Sequence, residues 1–215
     1  FLKNGTMVFK SGSLESKLEN ITEFRCSTEK KICLVGADFV YLTIGANMDG
    51  SNFTRQMMYS VRPRTTFRIH SRVAFIPGTD YFLSVSLSKY GINRWKIGKN
   101  DSFTQLKVQG VGNSLEASDL LVVDRSKYAL VTFATSTSIY LIDFLAMTET
   151  RTISGRAGMM ALLSADPSLA HFVCASENQI TKYSYLDGTA IATFRNDYIV
   201  TGMRNVNNTD FVIVA

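Results

Sequence analysis

The 215-residue chain is predicted to be all-β, built from four-stranded antiparallel units that repeat along its length. Three observations carry that expectation. A fifteen-residue pattern occurs three times without gaps. Turn-forming residues stand at the same places within and around each copy. The apolar runs, such as YALVTF at 128–133 and FVIVA at 211–215, are strand-sized and far short of the roughly 20 residues a membrane-spanning helix needs.

The three copies are YFLSVSLSKYGINRW (81–95), YALVTFATSTSIYLI (128–142) and LAHFVCASENQITKY (169–183). They open at Tyr81, Tyr128 and Leu169, place isoleucine at Ile92, Ile139 and Ile180, and end on the large residues Trp95, Ile142 and Tyr183. Between the apolar stretches lie SKYG, TSTS and SENQ. Ser, Asn and Gly bend the chain cheaply there, so each copy reads as two strands and a tight turn. The three isoleucines are expected at equivalent buried positions. A turn signal precedes each copy (PGTD at 77–80, DRSK at 124–127, DPS at 166–168), and an apolar strand precedes that turn (VAFI at 73–76, LLVV at 120–123, MMALL at 159–163). A fourth, alternating run follows: FTQLKV at 103–108, TRTIS at 150–154 and TAIATF at 189–194.

Residues 21–61 fit a looser copy, with strands near ITEFRC, ICLVG and FVYLTIG and an insertion, NMDGSNFTRQ, before the outer strand. YIVTGM and DFVIVA, near the end, read as the first two strands of a further copy. The expected organisation is one incomplete repeat domain: outer strands of a preceding unit at 1–20, then units at 21–72, 73–109, 110–156 and 157–196, and the start of another at 197–215. The chain starts at Phe1, its first ten residues lack the apolar core of a signal peptide, and it stops inside an apolar run. Both ends read as cut from a longer polypeptide.

Trp95, Ile142 and Tyr183 stand 47 and 41 residues apart. That spacing resembles the WD40 family, whose blades repeat at roughly 40–45 residues, and the likeness covers nearly the whole chain. The resemblance implies a partial β-propeller of four-stranded antiparallel blades, with WD40-like architecture. The signature dipeptide is degraded to Trp95-Lys96, Ile142-Asp143 and Tyr183-Ser184, and no clear Gly-His occurs, so the likeness is to blade architecture alone. A β-sandwich with regular strands, or another propeller family of similar blade size, fits the same spacing. A closed propeller has several more strands than the chain offers.

Catalytic chemistry is hard to find in the residues. The two histidines are His70 and His171; His171 alternates with Leu169 and Val173, as a strand residue does. No HExxH, P-loop, GxSxG or CxxC motif occurs. The GVG at 110–112 lacks the following helix that a phosphate cradle requires. Asp119 and Asp124 are expected at turns, capping backbone amides, and Cys174 in the core. No catalytic residue, metal site or cofactor is expected.

Three features bear on partners and compartment. A hairpin turning at Glu29-Lys30 would set Cys26 directly opposite Cys33, within disulfide reach. Five glycosylation sequons begin at Asn4, Asn20, Asn52, Asn100 and Asn207, all at predicted turns or strand ends. In VRPRTTFRIHSRV (61–73), Arg62, Arg64, Arg68, His70 and Arg72 alternate with apolar residues, which on a strand makes one face basic. Such a stripe either discourages edge-to-edge pairing or docks an acidic surface. The net charge of +5 permits the second. The expected function is a non-enzymatic scaffold for other proteins, for copies of itself or for the rest of its own chain. No specific nucleic-acid partner and no transmembrane segment are expected. The alternatives are a glycosylated structural component of an extracellular or cell-surface assembly, and a ligand-binding or enzymatic propeller with its site elsewhere. Sequons and the cysteine pair lean toward the extracellular side.

Overall fold

The computed structural model describes residues 72–85, 91–97, 117–123, 127–134, 136–156, 158–162, 170–195 and 197–205, together with the strand backbones at 2–3, 6–7, 23–27, 32–36, 40–45, 53–59, 103–106 and 212–214. All the regular structure among these residues is β; none is helical. The chain opens with a hairpin of β1 (Leu2–Lys3) and β2 (Thr6–Met7). The first four-stranded sheet follows: β3 (Glu23–Ser27), β4 (Ile32–Gly36), β5 (Val40–Gly45) and β6 (Phe53–Tyr59). The second holds β7 (Arg72–Phe75), β8 (Tyr81–Val85), β9 (Ile92–Lys96) and β10 (Phe103–Leu106). The third holds β11 (Ala117–Val122), β12 (Tyr128–Phe133), β13 (Ser138–Asp143) and β14 (Thr148–Ser154). The fourth holds β15 (Met159–Leu162), β16 (His171–Ser176), β17 (Gln179–Ser184) and β18 (Ala190–Arg195). A hairpin of β19 (Met203–Asn205) and β20 (Val212–Val214) ends the chain. Within every sheet the strands pair antiparallel in chain order, as connections of a few residues require.

The sheets meet through their first strands: β3 lies beside β7, β7 beside β11, β11 beside β15, and β15 beside β19. The third sheet is therefore buried on both faces, which explains why YALVTF and SIYLI are nearly unbroken apolar runs rather than alternating ones. Ala129, Val131, Phe133, Tyr140 and Ile142 pack toward Leu83, Val85 and Ile92 of the second sheet. Their sequence neighbours Leu130, Ile139 and Leu141 pack the opposite way, toward Met160, Phe172, Cys174 and Tyr183 of the fourth. A third cluster joins Ala161, Val173 and Ala175 to Val200 and Met203.

Ile92 and Ile139 are fully buried, each on the face turned toward the following sheet. Ile180 holds the same position on β17 but is only half-buried, because it packs at the border of the small third cluster. The large residues behave in parallel. Ile142 and Tyr183 face the preceding sheet, and Trp95 is buried, stacked on Phe82 with its indole N–H donating to Ser84 Oγ at 2.8 Å.

Four sequence expectations need correction. The register pairs Tyr81 with Lys96, Tyr128 with Asp143 and His171 with Ser184. His171, not Leu169, is thus the counterpart of the two tyrosines, because β16 and β17 turn through only Glu177 and Asn178. A two-residue offset preserves which side chains face the core, so the gapless match tolerated it. The first strand of the last hairpin is β19 at Met203–Asn205, not YIVTGM. Tyr198 and Ile199 are exposed, and the Val200 N–H donates to Glu177 O at 3.1 Å, an attachment to the fourth sheet that a strand would not leave free. β6 begins at Phe53, inside the expected insertion. Finally, Asp119 lies on β11 rather than at a turn. Asp124 and GVG 110–112 lie outside the described residues.

Candidate interaction surface

The most regular surface lies along the edge where the third strand of each sheet turns into the fourth. In the third sheet this turn is Phe144–Met147, and in the fourth it is Tyr185–Gly188. Each is anchored from below by the same backbone bond: Phe144 N–H donates to Lys127 O at 3.0 Å and Tyr185 N–H to Ala170 O at 2.9 Å. In the second sheet Ile97 N–H donates to Asp80 O at 2.7 Å. The buried ring of Phe144 or Tyr185 holds each turn down while the next residue, Leu145 or Leu186, is more than half exposed. Backbone geometry repeats as well. Met147 has φ 54° where Gly188 has φ 80°, a left-handed conformation that suits glycine and strains methionine.

Arginines tie each turn to the sheet before it. Arg94 of β9 donates through Nη1 to the carbonyls of Phe144 and Leu145, both at 2.7 Å. Arg151 of β14 donates to Asp187 O at 2.6 Å. Carboxylates tighten the turns from within. Asp143 accepts the Leu145 and Ala146 N–H groups at 2.9 Å each and pairs with Lys127 at 3.4 Å. Burial pushes its carboxyl up, but those two amides and the Lys127 ammonium outweigh that and hold it below the usual aspartate range. Asp187 accepts the N–H and hydroxyl of Thr189 at 2.9 and 2.8 Å, which lowers its pKa too. Tyr81 and Tyr128 stand at equivalent strand ends beside cations: Arg94 and Lys96 lie 5.4 and 5.9 Å from the Tyr81 ring centre, and Lys127 lies 5.1 Å from that of Tyr128. The Lys127 ammonium is raised above its ordinary value, first by Tyr128 and then by Asp143. The edge thus presents protruding leucines at fixed places among Lys96, Lys127 and Arg151.

A half-open cavity of about 240 Å³ lies among Gly155, Arg156, Cys174, Gln179, Thr181 and Thr193. The buried Cys174 thiol donates to Arg156 O at 3.5 Å, and burial, helped by the Asp119 charge, pushes its pKa up to about 12, so no thiolate forms near neutrality. Arg156 at the rim is exposed and pairs with Glu177 at 3.1 Å. Among the described residues, no group of three or more His, Cys, Asp or Glu is arranged to hold a metal ion. No helix among them is long and apolar enough to cross a membrane.

Of the residues singled out from sequence, Arg62, Arg64, Arg68, His70 and the sequon asparagines Asn4, Asn20, Asn52, Asn100 and Asn207 lie outside the described residues. Arg72 opens β7 and is half-buried. The backbone register sets Cys26 opposite Cys33, while their side chains lie outside the described residues. His171 is half-buried on β16. Sequence reasoning missed the arginine braces, although a basic residue on a third or fourth strand beside a Phe-Leu or Tyr-Leu turn is a signal that could have found them. The chain matches no protein-family model, and a comparison with curated proteins gave no match.

Proposed function

We propose that the chain is part of a β-propeller and acts as a non-enzymatic scaffold for protein–protein interaction. The propeller reading is supported by one observation above the others: the second, third and fourth sheets pack face to face, and the first strand of each four-stranded sheet lies beside the first strand of the next. The roughly 41- to 47-residue repeat favours the same reading. The scaffold reading rests on the turn edge. Its leucines are held out by buried aromatic neighbours, and its carbonyls are fixed by arginines, so a partner meets a surface already ordered. The protruding leucines favour a partner segment that carries apolar side chains.

Native affinity purification, compared between the chain and its Leu145→Asp/Leu186→Asp double variant, tests the scaffold reading. Both leucines are exposed, so the variant is expected to keep its thermal midpoint while losing a defined set of bound proteins. Identical bound sets from the two proteins would sink the assignment to this edge. Small-angle scattering tests the architecture: an arc-shaped particle is expected, and a profile matching a compact two-layer sandwich would overturn it.

A further inference from the structure

We propose that Cys26 and Cys33 form a redox-sensitive disulfide that clamps the β3–β4 hairpin where it seats on the second sheet. The pairing follows from register: Glu23 stands opposite Gly36, Arg25 opposite Leu34, and Cys26 opposite Cys33. Directly opposed residues of an antiparallel pair share a face and have Cα atoms about 4.5–5.5 Å apart, inside the span a disulfide bridges without backbone movement. Both β3 and β4 lie beside β7. Linking them therefore stiffens the strand pair that meets the first strand of the second sheet. The third cysteine serves as an internal reference. Cys174 is buried and its thiol is held protonated, which keeps it out of exchange.

The reaction needs an oxidant, and a low-molecular-weight disulfide such as oxidised glutathione supplies it. One cysteine thiolate attacks a glutathione sulfur, releasing one glutathione thiolate and leaving a mixed disulfide. The second thiolate attacks the protein sulfur of that mixed disulfide, releases the second glutathione, and forms the Cys26–Cys33 bond. The two protons lost by the protein thiols end on the two glutathione molecules, so two thiols and one disulfide go in and one disulfide and two thiols come out.

The full chain is equilibrated in glutathione buffers of stepped ratio, quenched in acid, unfolded and alkylated. Of its three cysteines, all are expected to take the alkyl label at the reducing end and only Cys174 at the oxidising end. Tryptic digestion then yields a cross-linked pair of peptides, because Lys30 and Lys31 separate the two cysteines. Cys174→Ala is expected to keep the cross-link, and Cys26→Ser to abolish it, leaving Cys33 open to label at the reducing end and held as a single glutathione adduct at the oxidising end. Stable glutathione adducts on both cysteines without a cross-link, a bond that joins Cys174, or disulfide-linked dimers in place of the internal bond would each overturn the proposal.

Discussion

Asp143 carries its turn through charge. Its carboxylate accepts two backbone N–H groups and faces Lys127, so the folded state favours the ionised form. A carboxyl lowered in the folded state contributes stability that is fully present above the ordinary aspartate value of about 3.9 and is lost as pH falls through the lower folded value. Asp143→Asn keeps an accepting oxygen but removes the charge. Thermal unfolding of the two proteins is expected to differ most between pH 5 and 7 and to begin converging only below about pH 4; a difference unchanged down to pH 3 would remove Asp143 from the account. Gly158 acts through space. A Cβ there would stand 1.7 Å from the backbone oxygen of Ala175, and the Gly158 carbonyl accepts the Thr132 hydroxyl at 2.9 Å. Gly158→Ala must push β16 away and is expected to cost about 1–3 kcal/mol in denaturant unfolding, as overpacking does. Ile139, fully buried between the third and fourth sheets, works by volume. Ile139→Ala is expected to lose about 2–5 kcal/mol by the same measurement, the cost of a cavity in a packed core.

Among the elements, the outer strands have a feature that no residue pattern announced. β6, β14 and β18 each carry a bulge at a similar place, leaving Gln56, Thr150 and Ile191 without a partner across the ladder. A bulge adds twist and bends its strand, and it blunts an edge against pairing with a further strand. Side-chain bonds join strands to neighbouring sheets: Arg94 of β9 and Arg151 of β14 to turn carbonyls, Thr132 of β12 to Gly158 O, and Asp119 Oδ2 of β11 to the Met160 N–H at 2.7 Å. Removing one brace leaves carbonyls short of a donor. Arg94→Ala, at a half-buried site with two bonds, is expected to cost about 1.5–3 kcal/mol. Arg151→Ala, at an exposed site with one, is expected to cost about 1 kcal/mol or less. Chemical denaturation of the two variants checks the order; a larger loss at Arg151 would contradict it.

For the molecule as a whole, stability is carried by the interfaces between sheets. The third sheet contributes to two core clusters, one on each face. The fourth shares one of these, contributes to the smaller cluster with Val200 and Met203, and leaves Ile191 and Phe194 of β18 exposed on its outer strand. Amide hydrogen exchange is therefore expected to be slowest in β12 and β13, which have a neighbour strand on both sides and a packed sheet on both faces, and fastest in β18. Equal protection across the third and fourth sheets would mean that the sheets do not depend on one another.

Much of this was legible in the residues. Turns at PGTD, TSTS and SENQ, apolar runs of strand length and the return of isoleucine at fixed spacing determined an all-β chain of four-stranded units, because turn chemistry and side-chain alternation are local properties. The opposition of Cys26 and Cys33 was also local, a consequence of hairpin register. What the sequence could not decide were matters of offset and neighbourhood. The gapless repeat aligned Leu169 with Tyr81 and Tyr128, and only the pairing of His171 with Ser184 exposed the shorter turn, since a shift of two residues leaves the buried face unchanged. Asp119 read as a turn residue because its partner, the Met160 N–H, lies 41 residues away in the chain. The leucine edge had the same origin: Leu145 and Leu186 are ordinary apolar residues until tertiary packing buries Phe144 and Tyr185 beneath them and turns the leucines outward.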